Sequence, residues 1–290
     1  MESSSSPESS SQSSLPYSTE VGRNERLPVS VVQVLTARRL AVTWQNPTTR
    51  CTSLIALLEF DGDVYHFHYV ANAEATEGFR ALPGFPDLHR SYESVHLFPL
   101  FAQRVMDPRR PDYVRYVERL GLPSDATPWE QMSRSGGARE GDLLQLFPEP
   151  TIENDKITCT FLVHGIRHIS ESEFVVDGQR VRVDPDELER QLASLHQGDR
   201  LRLLREPGNP VNSQAVLTTA DDGVPLGWVP DLLLDDLYAM SNGEPEATAV
   251  NVEQINGPDA PPHIRLLARL KVQRNLLYIP FSGQRWEPLG

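Results

Sequence analysis

Alternating and periodic apolar positions divide the chain into a strand-rich first part, a short helical middle and a strand-rich second half. Strand-like runs cover Val29 to Leu35, Leu40 to Trp44, Leu54 to Phe60 and Val64 to Tyr69. The last two flank Asp61-Gly62-Asp63, a hairpin signal because Asp-Gly accepts positive φ, and together the runs predict a small antiparallel sheet. Tyr113, Tyr116, Val117 and Leu120 then recur at helical spacing. Thr127-Pro128-Trp129-Glu130 reads as N-cap, first-turn proline and capping-box glutamate of a helix ending near Gly136-Gly137. Leu143 to Phe147 returns to strand character.

Pro148, Pro150 and the polar Glu153-Asn154-Asp155 form the best boundary in the sequence. Beyond it, Ile157 to Val163 and Phe174 to Val183 predict strands, and Asp184-Pro185-Asp186-Glu187 starts a helix with Leu188, Leu192 and Leu195 on one face. Strands over Leu201 to Leu204, Ala215 to Thr218 and Leu226 to Val229 follow, then a helix carrying Leu233, Leu237 and Met240. Ser241 to Pro262 reads as a polar loop before a final strand, Ile264 to Arg274. The pattern predicts a mainly β protein with helices, of the α+β class: a tail over 1–26, a small α+β domain over 27–150, a linker over 151–155 and a second domain over 156–290.

The first 26 residues are serine-rich and too poor in apolar groups to order themselves, and they lack the pattern of a secretory signal. No apolar run approaches the ~18 to 20 residues that span a bilayer, so a cytoplasmic, non-membrane protein is expected. Cys51 and Cys159 stand alone and far apart, which supplies neither a disulfide framework nor a zinc site. Formal charge is −13, with 21 acids and 14 bases over 1–155 and 19 acids and 13 bases over 156–290. Neither half is basic, so any nucleic-acid site is a local patch. All basic residues but Lys156 and Lys271 are arginine, as a GC-rich bacterial genome would encode.

Chemistry-bearing groups are sparse. His66 and His68 share one face of a predicted strand and offer two metal ligands without a visible third. Asp61, Asp63, Asp221 and Asp222 sit beside glycine as turn acids, without calcium-loop spacing. Phe85-Pro86-Asp87-Leu88-His89-Arg90-Ser91-Tyr92 gathers acid, histidine, arginine and tyrosine, and reads as an ordered loop between sheet and helix. No nucleophile elbow, phosphate loop or dinucleotide fingerprint occurs, nor the metal-binding carboxylate pairs of a nuclease. The expectation is a protein without catalytic activity or cofactor.

Gly198-Asp199-Arg200-Leu201-Arg202-Leu203-Leu204-Arg205-Glu206-Pro207-Gly208-Asn209-Pro210, then Gln214-Ala215-Val216 and Gly227-Trp228-Val229-Pro230, resemble the HIRAN family. Upstream, Val163-His164-Gly165-Ile166-Arg167-His168 matches its opening strand, and the likeness covers roughly 120 residues in order. The resemblance implies an OB-like β-barrel with two helices, which in helicase-linked members holds a single-stranded 3′ end by stacking aromatics on bases and hydrogen-bonding the terminal hydroxyl. Carried onto this chain, the candidate nucleic-acid-binding residues are Arg167, His168, Arg205, Asn209, Val211, Asn212 and Trp228. Arg167, Arg205 and Asn209 match the family pattern; His168 and Val211 stand where aromatics are usual, and Asn212 where an acid is usual. Asp231 and Leu234 occupy positions where end-binding members place lysines. The same motif also reads as a strand-exit turn, with Asn209 bonding nearby backbone and Arg167 as a surface ion-pair partner.

In the first domain, Tyr65-His66-Phe67-His68-Tyr69, Leu82-Pro83, Leu97-Phe98-Pro99-Leu100-Phe101, Arg119-Leu120-Gly121-Leu122 and the stretch from Gly136-Gly137 to Leu144-Gln145-Leu146-Phe147 resemble the amino-terminal subdomain of HipA-type toxin kinases. That likeness implies an interaction module without phosphoryl-transfer residues. The combined expectation is weak binding of single-stranded DNA or DNA ends by the second domain and a protein partner for the first. The alternative is a protein-interaction module that has lost DNA-end recognition.

Overall fold

The computed structural model describes residues 39–139, 141–274 and 278–290, which belong to one compact unit. The predicted tail and the strand predicted over Val29 to Leu35 lie outside the described residues.

The first sheet contains β1 (Arg39–Gln45), β2 (Thr52–Phe60), β3 (Tyr65–Tyr69), β4 (Tyr92–Ser94) and β5 (Leu144–Pro148). Its order is β4-β3-β2-β1-β5, and every neighbouring pair is antiparallel. Four helices stand among these strands: α1 (Asn72–Ala75), α2 (Pro99–Ala102), α3 (Tyr113–Arg119) and α4 (Pro128–Ser135). The predicted capping box opens α4: the Thr127 side chain accepts from Glu130 N at 3.2 Å, and Glu130 Oε2 accepts from Thr127 N at 2.7 Å. Such a cap stabilises a helix by about 1 kcal/mol. Gly136 ends α4 in the left-handed region at φ 66°.

The second sheet contains β6 (Thr151–Glu153), β7 (Lys156–Leu162), β10 (Arg200–Arg205), β11 (Val216–Ala220), β12 (Pro225–Trp228), β13 (Ala249–Ile255) and β14 (Leu266–Gln273). Its order is β12-β11-β10-β13-β14-β7-β6. The chain just past β7 then bridges back to β12: His164 N donates to Trp228 O and Trp228 N donates to His164 O, each at 2.9 Å. The strands from β12 to β7 therefore meet end to end through this one bridge. A separate hairpin pairs β8 (Phe174–Val176) with β9 (Gln179–Val181), and α5 (Pro185–Ser194) and α6 (Asp231–Met240) pack on the sheet. No helix among the described residues is long and apolar enough to cross a membrane.

Four local expectations are corrected. Pro148 to Asp155 is not an irregular connection, because β6 pairs with β7 across Asn154-Asp155, both at positive φ (48° and 58°). Those angles match a two-residue hairpin turn, which Asn and Asp tolerate better than most residues. Phe174 to Val183 is a hairpin rather than one strand, since Asp177 (φ 50°) and Gly178 (φ 78°) reverse it. The segment read as a loop from Ser241 contains β13, an interior strand of the sheet. Arg167 and His168 lie in a 3-10 turn, Ile166–Glu171, because Gly165 at φ 69° breaks the strand before them.

One apolar core includes Ile157, Cys159 and Phe161 from β7 and Leu233 and Leu237 from α6, together with Leu54, Leu57, Val70 and Phe147 around the first sheet. The carboxy-terminal segment joins it through Phe281 and Trp286, whose rings stack at 4.0 Å. Beyond Trp286 the chain bridges to the first sheet at Val70 and Pro288, and Leu289 N donates to Tyr69 O at 2.9 Å.

Candidate nucleic-acid interface

The two halves of the family-like motif meet at one carboxylate. Glu206, just after β10, accepts from Trp228 Nε1 at 2.6 Å and from Asn209 Nδ2 at 2.9 Å, both through Oε2. Asn209 Oδ1 then takes Val211 N at 3.0 Å and Asn212 N at 3.1 Å, the bonding expected of a turn-forming asparagine. The sequence pattern Arg-Glu-Pro-Gly-Asn-Pro thus builds a loop that its own side chains hold.

Trp228 is half-buried rather than displayed. Gly165 lies flat against its indole, so that a Cβ there would stand 2.6 Å from the ring. Phe174 packs beside it at 5.8 Å between centroids. Its edge N–H belongs to Glu206, and it serves as the floor under the 3-10 turn that carries Arg167 and His168.

Arg167 and His168 are both exposed. Arg167 Nε donates to His168 Nε2 at 3.0 Å, and His168 Nδ1 lies 2.8 Å from Glu171. No carboxylate pairs with the Arg167 guanidinium among the described residues. Arg205 is occupied differently: its Nε donates to Glu246 at 2.7 Å, and its backbone N donates to the same oxygen at 3.2 Å. Val211 is 71% exposed at the loop tip. Asn212 accepts from Gln214 N at 2.9 Å and donates to Asp231 at 3.1 Å, which settles it at the start of α6.

Val211, Asn212, Asp231 and Leu234 line one cleft of about 410 Å³, whose opposite wall is the start of β2. Asp235 and Arg285 complete it. Sequence reasoning passed over Thr52, Asp235 and Arg285, because nothing local marks residues that meet only through the fold.

The other sequence candidates are bound up locally. His66 sits between Asp61 at 3.2 Å and Glu93 at 3.5 Å. Among the described residues no group of three or more His, Cys, Asp or Glu is placed to hold a metal. In the Phe85-to-Tyr92 loop, Phe85 is buried, Tyr92 Oη accepts from Asp87 N at 2.8 Å, and Arg90 lies over the Tyr92 ring at 5.3 Å.

His164, at the sheet closure, lies beside Phe147 and lines a small cavity with His263. Burial lowers its imidazole to about 4, against a weaker upward pull from Asp231 and with a further downward push from His263. An unfolded histidine binds its proton near 6.5, so between about pH 6.5 and 4 the unfolded chain holds more protons than the folded one. Stability contributed by neutral His164 is therefore complete above that window and is lost as pH falls through it. His68 and His263, also lowered by burial, act in the same direction. The urea midpoint should fall on moving from pH 7 to about 4.5, and His164→Phe should flatten part of that fall. An equal pH slope in the variant would show that His164 is not the group responsible.

No family model matches the chain, and no curated protein matches it. Two solved structures are similar. One is a protein from Lactobacillus plantarum, 19% identical, for which the alignment covers 42% of this chain and 93% of that chain with a TM-score of 0.28. The other is the HIRAN domain of human HLTF, 12% identical, covering 42% of this chain and 81% of that chain with a TM-score of 0.27.

Proposed function

We propose that the part of the chain from β7 onward is a HIRAN-type module that binds single-stranded DNA or DNA ends without catalysis, and that the first sheet with its helices is a HipA-amino-terminal-like interaction module of a bacterial cytoplasmic protein. One observation carries the nucleic-acid reading. Arg167 presents an exposed guanidinium without a carboxylate partner, on a turn braced by Trp228 and next to the Glu206-held loop. A cation so placed can hold a phosphate without first giving up an ion pair, whereas Arg205 must leave Glu246 to do so.

Few phosphate contacts imply weak, salt-dependent binding. With two contacts on a single strand, affinity should fall roughly sevenfold between about 50 and 200 mM salt. Fluorescence anisotropy of the full chain with oligonucleotides ending in 3′-hydroxyl or 3′-phosphate measures this directly. Arg167→Ala should remove most of the binding for all sequences, and Val211→Tyr should strengthen it, since a stacked base contributes ~1 to 3 kcal/mol. Absence of binding by the native chain at low salt, or an Arg167→Ala variant that binds as well, overturns the reading.

A second reading, protein interaction alone, is favoured by the cleft beneath Val211. There a carboxylate, Asp231, stands where a phosphate-binding residue would be wanted.

A further inference from the structure

The cleft between β2 and the Asn209-to-Gln214 loop has the volume of a ligand site, about 410 Å³, and an unusual balance of groups. The one cation among the described lining residues is spent: Arg285 pairs with both Asp235 and Asp236 and lies over the Trp286 ring at 5.0 Å. Asp231 keeps no cation among the described residues; its Oδ1 accepts from Asn212 at 3.1 Å, and its Oδ2 takes no bond among them. The Gln214 side chain on the same wall is likewise without a hydrogen bond among the described residues, while its backbone N donates to Asn212 and its backbone O accepts from Tyr238 Oη. Beside these polar groups stands Val211, the most exposed large apolar residue described, at 71%.

We propose that this cleft receives an arginine side chain presented by a peptide segment of a partner protein. The charge is complementary, since two carboxylates of the lining face one guanidinium that is already bonded. A planar guanidinium can serve a carboxylate oxygen and an amide oxygen together, as Asp231 and Gln214 offer, which a compact ammonium does less well. The aliphatic stem of the arginine lies against Val211. A nucleic-acid phosphate is disfavoured at the same place, because it would meet Asp231 and Asp235 without an unspent cation among the described residues. This inference deepens the protein-interaction reading and is independent of oligonucleotide binding at Arg167.

Cys51 lines the cleft and is exposed, whereas Cys159 is buried, so thiol alkylation reports on the site in the native chain. Iodoacetamide labelling of Cys51, followed by mass spectrometry, is measured with blocked Gly-Arg-Gly, Gly-Lys-Gly and Gly-Glu-Gly peptides, with spermidine and with a single-stranded oligonucleotide. The arginine peptide should slow labelling at least fivefold at saturation, the lysine peptide less, and the acidic peptide and oligonucleotide not at all. Asp231→Asn, which keeps the shape and the oxygen that Asn212 bonds, should abolish protection, read as the ratio of labelling rates without and with peptide in the same variant. Equal protection by the acidic peptide or oligonucleotide, protection by spermidine but not by the arginine peptide, persistence of protection in Asp231→Asn, or no protection by any probe each overturns the proposal.

Discussion

Gly227→Ala should destabilise the protein by about 3 kcal/mol or more, the upper range for forcing atoms into a filled site, and should remove cooperative unfolding if the sheet closure is lost. A Cβ at Gly227 would stand 2.4 Å from His164 O and 2.6 Å from the Val163 side chain. Carbonyl His164 O is not free to retreat, because it accepts from Trp228 N in the bridge that joins β12 to the end of β7. Moving it breaks that pair and displaces Trp228, whose indole N–H holds Glu206 and, through it, the Asn209 loop. The control is Gly208→Ala in the same motif, where a Cβ meets nothing within 4 Å and φ is not positive. That substitution should leave the urea midpoint nearly unchanged. If both variants unfold alike, the closure does not carry the stability assigned to it.

Trp286→Ala should cost about 3 to 5 kcal/mol, the usual loss when a large buried aromatic leaves a cavity. The indole is 4% exposed and stacks on Phe281, itself 1% exposed, within the same core as β7 and α6. Its removal also takes the ring from under Arg285, which pairs with Asp235 and Asp236, and weakens the segment running to the first sheet through Pro288 and Leu289. Cys159 reports the outcome. Its thiol is fully enclosed, and burial pushes it up to about 12, so in the native protein it should resist alkylation. In Trp286→Ala, Cys159 should label markedly faster while exposed Cys51 labels at its native rate. Unchanged protection of Cys159 together with an unchanged urea midpoint would show that the segment is dispensable.

Elements with a self-contained signal were legible. The Asp61-Gly62 hairpin, the Thr127-to-Glu130 capping box and the Asp184 cap on α5, where Asp184 accepts from Glu187 N at 2.9 Å, each depend on residues within four positions of one another. Strand β13 was illegible for the opposite reason. Ala249-Val250-Asn251-Val252-Glu253-Gln254-Ile255 alternates only weakly and carries polar outward positions, and it becomes a strand because β10 and β14 offer it two edges. The turn at Asn154-Asp155 carried two prolines just upstream, and those outweighed a genuine two-residue hairpin signal.

The motif residues were legible as a set, but not in their roles. Composition and local pattern determined the α+β class, most strand positions, the starts of α4 and α5 and the order of Arg205, Asn209 and Trp228 along the chain. Only the tertiary structure decided that Trp228 is a floor under the Arg167 turn, that Arg205 is held by Glu246, and that Val211, Asn212 and Asp231 look across a cleft at β2. The reason is physical: backbone propensity and capping act over a few residues, whereas the availability of a charge depends on which counter-charge the fold brings beside it.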